Sequence, residues 1–282
     1  MEDRKSKILI EALPYIKKYS GKVIVIKIGG KAIYDDNVRL SIMEDIVLLN
    51  TLKIKTVVVH GGGVEISELS NKYKLKEKYI DSIRVTDLKT LEITKMVLTG
   101  KINTQFVLDT NKLGGRAVGL SGVSSNMVVA SIKDDKLGYV GKVDKVNSEL
   151  LINLLDNEYI PIISPIATSI SGDSFYVDDD IFASAIASSL LAESFISLID
   201  EDGIMKDKND PKSLIPLIHA SDARELIKDG IIEGKNFVKV NACIEAIRRG
   251  VKQSFLISGT KKHSILLEVL TNEGVGTMFV AH

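Results

Sequence analysis

The chain has 282 residues, 45% of them hydrophobic, which is enough for one large domain or two lobes with a sizeable core. Lysine plus arginine and aspartate plus glutamate number 37 each, so no bulk charge favours binding to nucleic acid or to a membrane surface. The single cysteine, Cys243, excludes an internal disulfide, and the charged N-terminus and short apolar runs predict a cytoplasmic protein without a membrane span.

The first predicted element is a helix over residues 6–19. Its apolar positions follow a helical spacing and form one stripe, which consists of Ile8, Leu9, Ala12, Leu13 and Ile16. Because this helix precedes the first core strand, it either covers its own domain or packs against another subunit. We assign residues 1–20 to a segment for oligomerisation.

From residue 22 onward, hydrophobic runs typical of strands alternate with helical patterns. Strands are predicted at 22–28, 56–60, 117–120, 160–163, 195–199, 254–257 and 277–281, helices at 38–50, 87–100, 101–113, 181–191, 220–229 and 240–250, and a hairpin at 127–132 and 140–147. The alternation predicts an α/β fold, a three-layer αβα sandwich with a mainly parallel central sheet. The boundary between two lobes is placed near residue 192.

Four glycine-containing turns come directly after predicted strands. They lie at Gly29-Gly30, Gly61-Gly62-Gly63, Ser121-Gly122 and Asp200-Glu201-Asp202-Gly203. A glycine backbone lets a ligand approach closely and lets successive N–H groups point at an anion, and a helix that starts there adds its positive end. This arrangement, repeated at the ends of several strands, predicts a site for several phosphate oxygens.

Seven segments, in order along nearly the whole chain, carry one resemblance. They read KIGGKAI (27–33), VVVHGGGVEIS (57–67), IRVTD with TLEITKMVLTGKIN (83–103), GYVGKVDKVN (138–147), YIPIISPIA (159–167), VKVNACIEAIRRGV (238–251) and HSILLEVLTNEGVGTM (263–278). Together they resemble the N-acetylglutamate kinases of the amino acid kinase family. The resemblance implies a mainly parallel sheet flanked by helices, with the amino-acid substrate lobe at 21–191 and the nucleotide-binding lobe at 192–282.

The reaction that this resemblance implies is the transfer of a phosphoryl group from ATP, with Mg²⁺, to the side-chain carboxylate of N-acetyl-L-glutamate in arginine biosynthesis. A glutamate carboxylate, with a reference pKa of about 4.3, is already ionised at neutral pH, so no general base is required. Catalysis then rests on positioning and on charge neutralisation by lysines, N–H groups and Mg²⁺. We therefore expect His60 to shape its turn rather than to act as a base.

The resemblance also implies roles for individual residues. Lys27 and Lys239 match the two lysines that contact the transferred phosphoryl group, and Asp180 matches the aspartate that orients both. The predicted substrate-binding residues are Gly62, Gly63, Arg84, Tyr176 and Asp178, and the predicted nucleotide-binding residues are Gly29, Gly30, Asp200, Gly203 and Lys206. Arg84 matches the residue that holds the substrate α-carboxylate, for which a bidentate guanidinium is well suited. No resident metal ligand is predicted.

Two positions depart from the family pattern, in which two asparagines precede an aspartate. Tyr176 and Asp178 replace its two asparagines, although Asp180 matches its aspartate. Asp178 adds a negative charge near an anionic acceptor, and an aspartate at this position also resembles kinases of aminoadipate-type acids. Two alternatives follow: a kinase of an N-blocked aminoadipate, and a weakly catalytic protein kept as an arginine- or regulator-binding module.

The two ends of the chain resemble the arginine-inhibited subgroup of the family. The N-terminal helix with EALPYI at 11–16 and the C-terminal run from His263 to Met278 both occur in that subgroup. The resemblance implies a hexameric ring, a trimer of dimers, in which arginine binds beside the helix and contacts Glu268 and Gly274. The alternative is an ordinary terminal strand that follows a capped helix.

Overall fold

A computed structural model describes residues 2–207 and 210–281. The helices are α1 (Glu2–Tyr19), α2 (Lys31–Tyr34), α3 (Asp36–Thr51), α4 (Gly63–Lys72), α5 (Leu88–Lys95), a π-helical segment (Met96–Ile102), α6 (Asn103–Lys112), α7 (Glu149–Asp156), α8 (Asp179–Ser189), α9 (Ala223–Lys228), α10 (Lys235–Arg248) and α11 (Ser264–Leu270). Short 3₁₀ turns lie at Ser124–Asn126, Asp135–Leu137 and Pro211–Ser213.

The strands are β1 (Val23–Ile28), β2 (Lys55–His60), β3 (Tyr79–Ile80), β4 (Ile83–Arg84), β5 (Ala117–Ser121), β6 (Val128–Ile132), β7 (Gly141–Val146), β8 (Ile160–Ser164), β9 (Ile166–Thr168), β10 (Ser174–Tyr176), β11 (Ser194–Ile199), β12 (Leu217–His219), β13 (Gln253–Ser258) and β14 (Gly276–Val280). Eight of them form the central sheet in the order β12-β14-β13-β11-β1-β2-β8-β5. Its neighbouring strands are parallel except for β13 and β14.

The central strands are apolar along their whole length because both faces of the sheet are covered. On one face, Val25 and Phe195 pack with α7, α8 and α10. On the other face, Ile26 and Ile196 pack with α3, α6 and α11. The two cores on either side of one sheet confirm the predicted three-layer αβα sandwich.

Two smaller sheets lie beside the central one. The predicted hairpin is confirmed: β6 and β7 pair antiparallel, and together with β9 and β10 they form a four-stranded sheet in the order β10-β9-β6-β7. The strands β3 and β4 form a two-stranded ribbon. Both small sheets contribute residues to the rim of one large cleft.

The predicted helix boundary at Gly100 is wrong. The helix that begins after Asp87 continues through the π-helical segment into α6, and Gly100 lies inside that segment. Gly100 is not among the glycines with positive φ, so it does not form the left-handed cap that ends a helix. The sequence prediction also left out the helices α2, α4, α7 and α11 and the short strands β3, β4, β9, β10 and β12.

The sheet is continuous across the predicted lobe boundary near residue 192. Strands from 21–191 form one half of it, β1-β2-β8-β5, and strands from 192–282 form the other. The division into two lobes with separate ligands stays a prediction. In the described part of the chain, no helix is both long enough and apolar enough to cross a membrane.

Candidate active site

A cleft of about 1560 Å³ opens where β1, β2 and β11 end. The glycine turns after β1 and β2 and the acidic turn after β11 lie along it, which is where parallel α/β sheets commonly bind ligands. Eleven of the predicted site residues line it together: Lys27, Gly29, Gly30, Gly62, Gly63, Arg84, Tyr176, Asp178, Asp180, Asp200 and Lys239. Residues from six separate stretches of sequence thus meet in one cavity.

Two ammonium groups share one carboxylate oxygen at the centre of the cleft. Lys27 Nζ lies 2.9 Å from Asp180 Oδ2, and Lys239 Nζ lies 2.9 Å from the same oxygen. Lys27 comes from β1, Asp180 from the first turn of α8, and Lys239 from α10, which packs against α8. The lysines are therefore held close to each other by the aspartate between them.

Burial and charge oppose each other in this cluster. Burial disfavours the ionised form of Asp180, but Lys27 and Lys239 outweigh it and hold the pKa of Asp180 well below its usual value. Burial likewise disfavours a charged Lys27, but Asp179 and Asp180 outweigh it and raise the pKa of Lys27. Asp180 and Lys27 are therefore charged at neutral pH, and the side chains of Lys27 and Lys239 can both face an incoming phosphate.

Two residues of this centre were not predicted from the sequence. Asp179 places Oδ2 3.0 Å from Lys27 Nζ, and the Ser197 hydroxyl donates a 2.8 Å hydrogen bond to Asp180 Oδ1. The run Asp178-Asp179-Asp180 could have drawn attention to Asp179, because consecutive residues at the start of a helix point in different directions. No sequence pattern marks Ser197 as a site residue, since it lies inside an apolar strand.

The turn after β1 needs its second glycine. Gly30 has φ 59°, and a Cβ there would collide with the Asp200 carboxylate. Asp200 Oδ1 in turn accepts a hydrogen bond of 3.0 Å from the Lys31 N–H, at the start of α2. The side chain of Lys31 itself is exposed.

The turn after β2 brings α4 to the cleft. Gly62 precedes the first residue of α4, Gly63, so the N–H groups here lie at a helix N-terminus, where anions bind favourably. A Cβ on Gly62 would collide with Leu98 and Ile102, and a Cβ on Gly61 with the Asp179 carboxylate. Glycine is therefore required at these two positions by close packing.

His60 supports this turn from below. Its ring is fully buried and stacks on Phe106 at 5.5 Å, and burial lowers its pKa to about 4, so it is neutral at physiological pH. Nδ1 lies 3.0 Å from the Gly61 carbonyl, to which it donates, and Nε2 lies 3.2 Å from Asn103 Nδ2, from which it accepts. The histidine thus shapes the turn, as expected, and is not placed among the cleft residues.

Arg84 on β4 is fixed at the rim of the cleft. Its guanidinium donates to the Gly63 carbonyl at 3.1 Å and to the Ser67 hydroxyl at 3.0 Å, and it pairs with Glu77. The same side chain therefore ties β4 to the start of α4. A carboxylate that enters from this side would meet a cation that is already oriented.

The two departures from the family pattern differ in their surroundings. Asp178 is the N-cap of α8, and its Oδ1 accepts from the Asp180 and Ile181 N–H groups at 3.1 and 3.2 Å. Burial, then Asp179 and Asp180, raise its pKa to about 6. Tyr176, on β10, lines the cleft, and burial raises the pKa of its phenol well above its usual value, so it is a neutral hydroxyl there.

Four predicted residues do not line the cleft. Gly203 is buried with φ 145°, beside Leu214 and Thr277, and Lys206 is exposed. Glu268 and Gly274 lie at the C-terminal end of α11, where Glu268 Oε2 accepts from the Val275 N–H at 3.0 Å. Their ligand roles stay predictions.

The three consecutive aspartates lie close enough to hold a cation, with ligand atoms within 4.8 Å of one another. Both oxygens of Asp180 already have partners, in two lysines and Ser197, and one oxygen each of Asp179 and Asp178 is bonded, to Lys27 and to the start of α8. The lysines thus take up part of the negative charge that would attract a resident divalent ion.

Comparison with known proteins shows which family and which proteins this chain is similar to. The model of the amino acid kinase family matches residues 22–258. The chain is 46% identical to the acetylglutamate kinase of Methanosphaera stadtmanae, with 97% of this chain and 96% of that protein covered. It is 42% identical to the acetylglutamate kinase of Petrotoga mobilis, with 98% and 93% covered.

Solved structures share the fold. The N-acetylglutamate synthase of Neisseria gonorrhoeae superposes with a TM-score of 0.85 at 25% identity over 98% of this chain, which spans 63% of the synthase chain. The carbamate kinase of Giardia lamblia superposes with a TM-score of 0.71 at 19% identity, over 94% of this chain and all of that one.

Proposed function

The chain belongs to the amino acid kinase family, among its acetylglutamate kinases, and we propose which of its residues carry out the reaction. The enzyme catalyses the ATP-dependent phosphorylation of N-acetyl-L-glutamate in arginine biosynthesis. The product is an acyl phosphate, formed when a side-chain carboxylate oxygen attacks the γ-phosphorus and the bond to the β-phosphate oxygen breaks. The electron pair of that bond leaves with ADP.

The main barrier is electrostatic, because an anion must approach a polyanion. In our proposal Lys27 and Lys239 neutralise the charge that spreads over the transferred phosphoryl group and the leaving oxygen. Asp180 keeps the two mutually repelling ammonium groups within reach of one phosphorus. The N–H groups of Gly62 and Gly63 stabilise the attacking carboxylate and the γ-phosphoryl group from the opposite side.

The remaining cleft residues bind the two substrates. Arg84 binds the α-carboxylate of the acceptor, and Tyr176 and Asp178 lie against the acceptor's remaining atoms. Gly29, Gly30 and Asp200 lie beside the nucleotide phosphates, and Gly203 and Lys206 support the nucleotide side from outside the cleft lining. The metal that accompanies ATP is Mg²⁺, bound as part of the substrate.

The observation that carries this proposal is the single oxygen, Asp180 Oδ2, at 2.9 Å from both lysines. A surface salt bridge would not bring two buried or half-buried cations from distant segments to one cleft. An ion pair that merely stabilised the fold would also need only one lysine.

The experiment is a hydroxylamine trap of the acyl phosphate. Purified protein is supplied with ATP, Mg²⁺ and either N-acetyl-L-glutamate or N-acetyl-aminoadipate, and hydroxamate is measured. We expect product with N-acetyl-L-glutamate and at least tenfold lower kcat/KM with the longer acid. Preference for the longer acid would favour the aminoadipate alternative, which Asp178 suggested. Absence of product with both would favour a binding module.

Arginine inhibition, a hexamer built as a trimer of dimers and a cytoplasmic location are also part of the proposal. Support for arginine binding comes from Glu268, a half-buried carboxylate that keeps one oxygen beyond its bond to Val275. Arginine added to the hydroxamate assay should lower the rate in the wild type and less in Glu268→Gln. Equal inhibition of both would remove Glu268 from the effector site.

A further inference from the structure

On one side of β11, a polar side chain lies between the apolar Phe195 and Ile199. Ser197 is the register partner of Lys27 on the neighbouring strand β1. The preceding pair on the same face is Val25 and Phe195, and Val59 lies opposite Lys27 on its other side. Lys27 and Ser197 thus form a polar pair within an apolar core, directly beneath the start of α8.

The Ser197 hydroxyl is completely buried and bonds to the one Asp180 oxygen that the lysines leave free. It donates to Oδ1 at 2.8 Å, whereas both ammonium groups bind Oδ2. A buried hydroxyl is costly unless it is bonded, and a bond to a carboxylate is among the stronger hydrogen bonds. A carboxylate held at one oxygen can still rotate, whereas contacts at both oxygens fix its plane.

We propose that Ser197 is a positioning residue for phosphoryl transfer, which acts by fixing the orientation of Asp180 and so the separation of Lys27 and Lys239. The inference rests on the proposed roles of the two lysines. Ser197 does not line the substrate cleft, so it does not contact ATP or the acceptor. Its effect should therefore appear in the rate of the bound complex rather than in substrate affinity.

The test is Ser197→Ala, assayed by hydroxamate formation with both substrates varied. We expect kcat to fall roughly tenfold to hundredfold, as for a lost hydrogen bond to a charged group, while both KM values stay within about twofold. Ser197→Thr keeps the hydroxyl and should recover most of kcat. The matched control is Ser194→Ala on the same strand, whose hydroxyl accepts from Gln253 and lies away from Asp180.

Several outcomes would overturn the inference. These are a kcat for Ser197→Ala within twofold of the wild type, an equal fall in Ser194→Ala, and a fall that Ser197→Thr does not relieve. A loss confined to KM would also count against it. The wild-type assay is read first, so an inactive wild type speaks against the proposed function, whereas an active wild type with an unaffected Ser197→Ala speaks against Ser197 alone.

Discussion

At the scale of single residues, Lys27 combines nearly complete burial with a full charge. Its side chain is 2% exposed and contacts both Asp179 and Asp180. A buried cation is stabilised mainly by the anions that it contacts. Without Lys27, the negative charges of Asp179 and Asp180 would face only one cation, Lys239, which cannot balance both.

We predict that Lys27→Met lowers kcat by roughly a thousandfold and destabilises the fold by about 3–5 kcal/mol, since a buried pair loses one partner. Kinetics and urea denaturation measure the two effects. The control is Lys22→Met, an exposed lysine just before the same strand, which should change neither. A stable and active Lys27→Met would contradict the proposed centre.

Asp178 allows a pH-dependent test of charge repulsion. Asparagine caps a helix as well as aspartate does, so Asp178→Asn keeps α8 and removes only the charge. Because the pKa of Asp178 is raised to about 6, we expect this change to lower KM for N-acetyl-L-glutamate at pH 8 by roughly threefold to tenfold, with little effect at pH 5. An equal decrease of KM at both pH values would indicate that the shape of the side chain, and not its charge, limits substrate binding.

The same residue makes a prediction for stability. Its folded pKa of about 6 lies above the reference value of 3.8, so the folded state retains a proton that the unfolded state releases between these pH values. The contribution of Asp178 to the free energy of unfolding is therefore fully present below pH 3.8 and is lost as the pH rises through about 6. The melting temperature of Asp178→Asn, measured relative to that of the wild type, should therefore increase from pH 4 to pH 7.

The sequence predicted which residues line the cleft better than it predicted how their side chains contact one another. The two lysines and the glycine turns after β1 and β2 follow from motif positions, and the cleft gathers them. The predicted turn at Ser121-Gly122 does not line the cleft, so not every glycine turn belongs to this site. Ser197 could not be predicted, because its importance comes from register with Lys27, 170 positions away in the chain, and not from any local pattern. The capping role of Asp178 likewise depends on where α8 begins.

At the scale of elements, the start of α5 depends on one side chain. Asp87 accepts a 2.8 Å bond from the Thr90 N–H, as the N-cap predicted from the sequence, and this bond lowers its pKa. The helix it starts continues without interruption past Gly100, so its cap stabilises a long stretch of chain.

We predict that Asp87→Ala lowers the free energy of unfolding by about 1 kcal/mol, whereas Asp87→Asn, which retains the accepting oxygen, stays within a few tenths. Urea denaturation at neutral pH separates the two. Equal losses in both variants would show that the negative charge, through the helix dipole, matters more than the hydrogen bond.

Element types were easier to predict than element ends. Strands that are apolar on both faces, such as Thr56–His60, stand out from their composition. The end of α5 could not be predicted in this way. A glycine ends a helix only where its backbone adopts the left-handed conformation, and the packing of neighbouring elements determines whether it does. The π-helical segment has no sequence signature of its own.

At the scale of the whole molecule, α1 leaves apolar surface uncovered. Leu9 and Ile10 are 73% and 69% exposed, whereas Tyr15 and Ile16 on the same helix pack against the core. One part of the helix is therefore used within the chain, and the other is exposed. That a second subunit covers the exposed part stays a prediction.

If the proposed hexamer forms through α1, we predict that Leu9→Ser combined with Leu13→Ser lowers its mass to that of a dimer, while kcat is kept, because the cleft lies elsewhere. Multi-angle light scattering measures the mass. The control is Lys17→Ser on an exposed position of the same helix. An unchanged mass would assign α1 to its own subunit.

The sharing of Asp180 between partners 153 and 59 residues distant has a consequence for biosynthesis of the enzyme itself. A ribosome must release almost the entire polypeptide before α10 can dock and the third member of the centre can arrive. Catalytic activity therefore requires that the chain has folded as far as α10. A nascent chain or a proteolytic fragment that lacks α10 should not consume ATP.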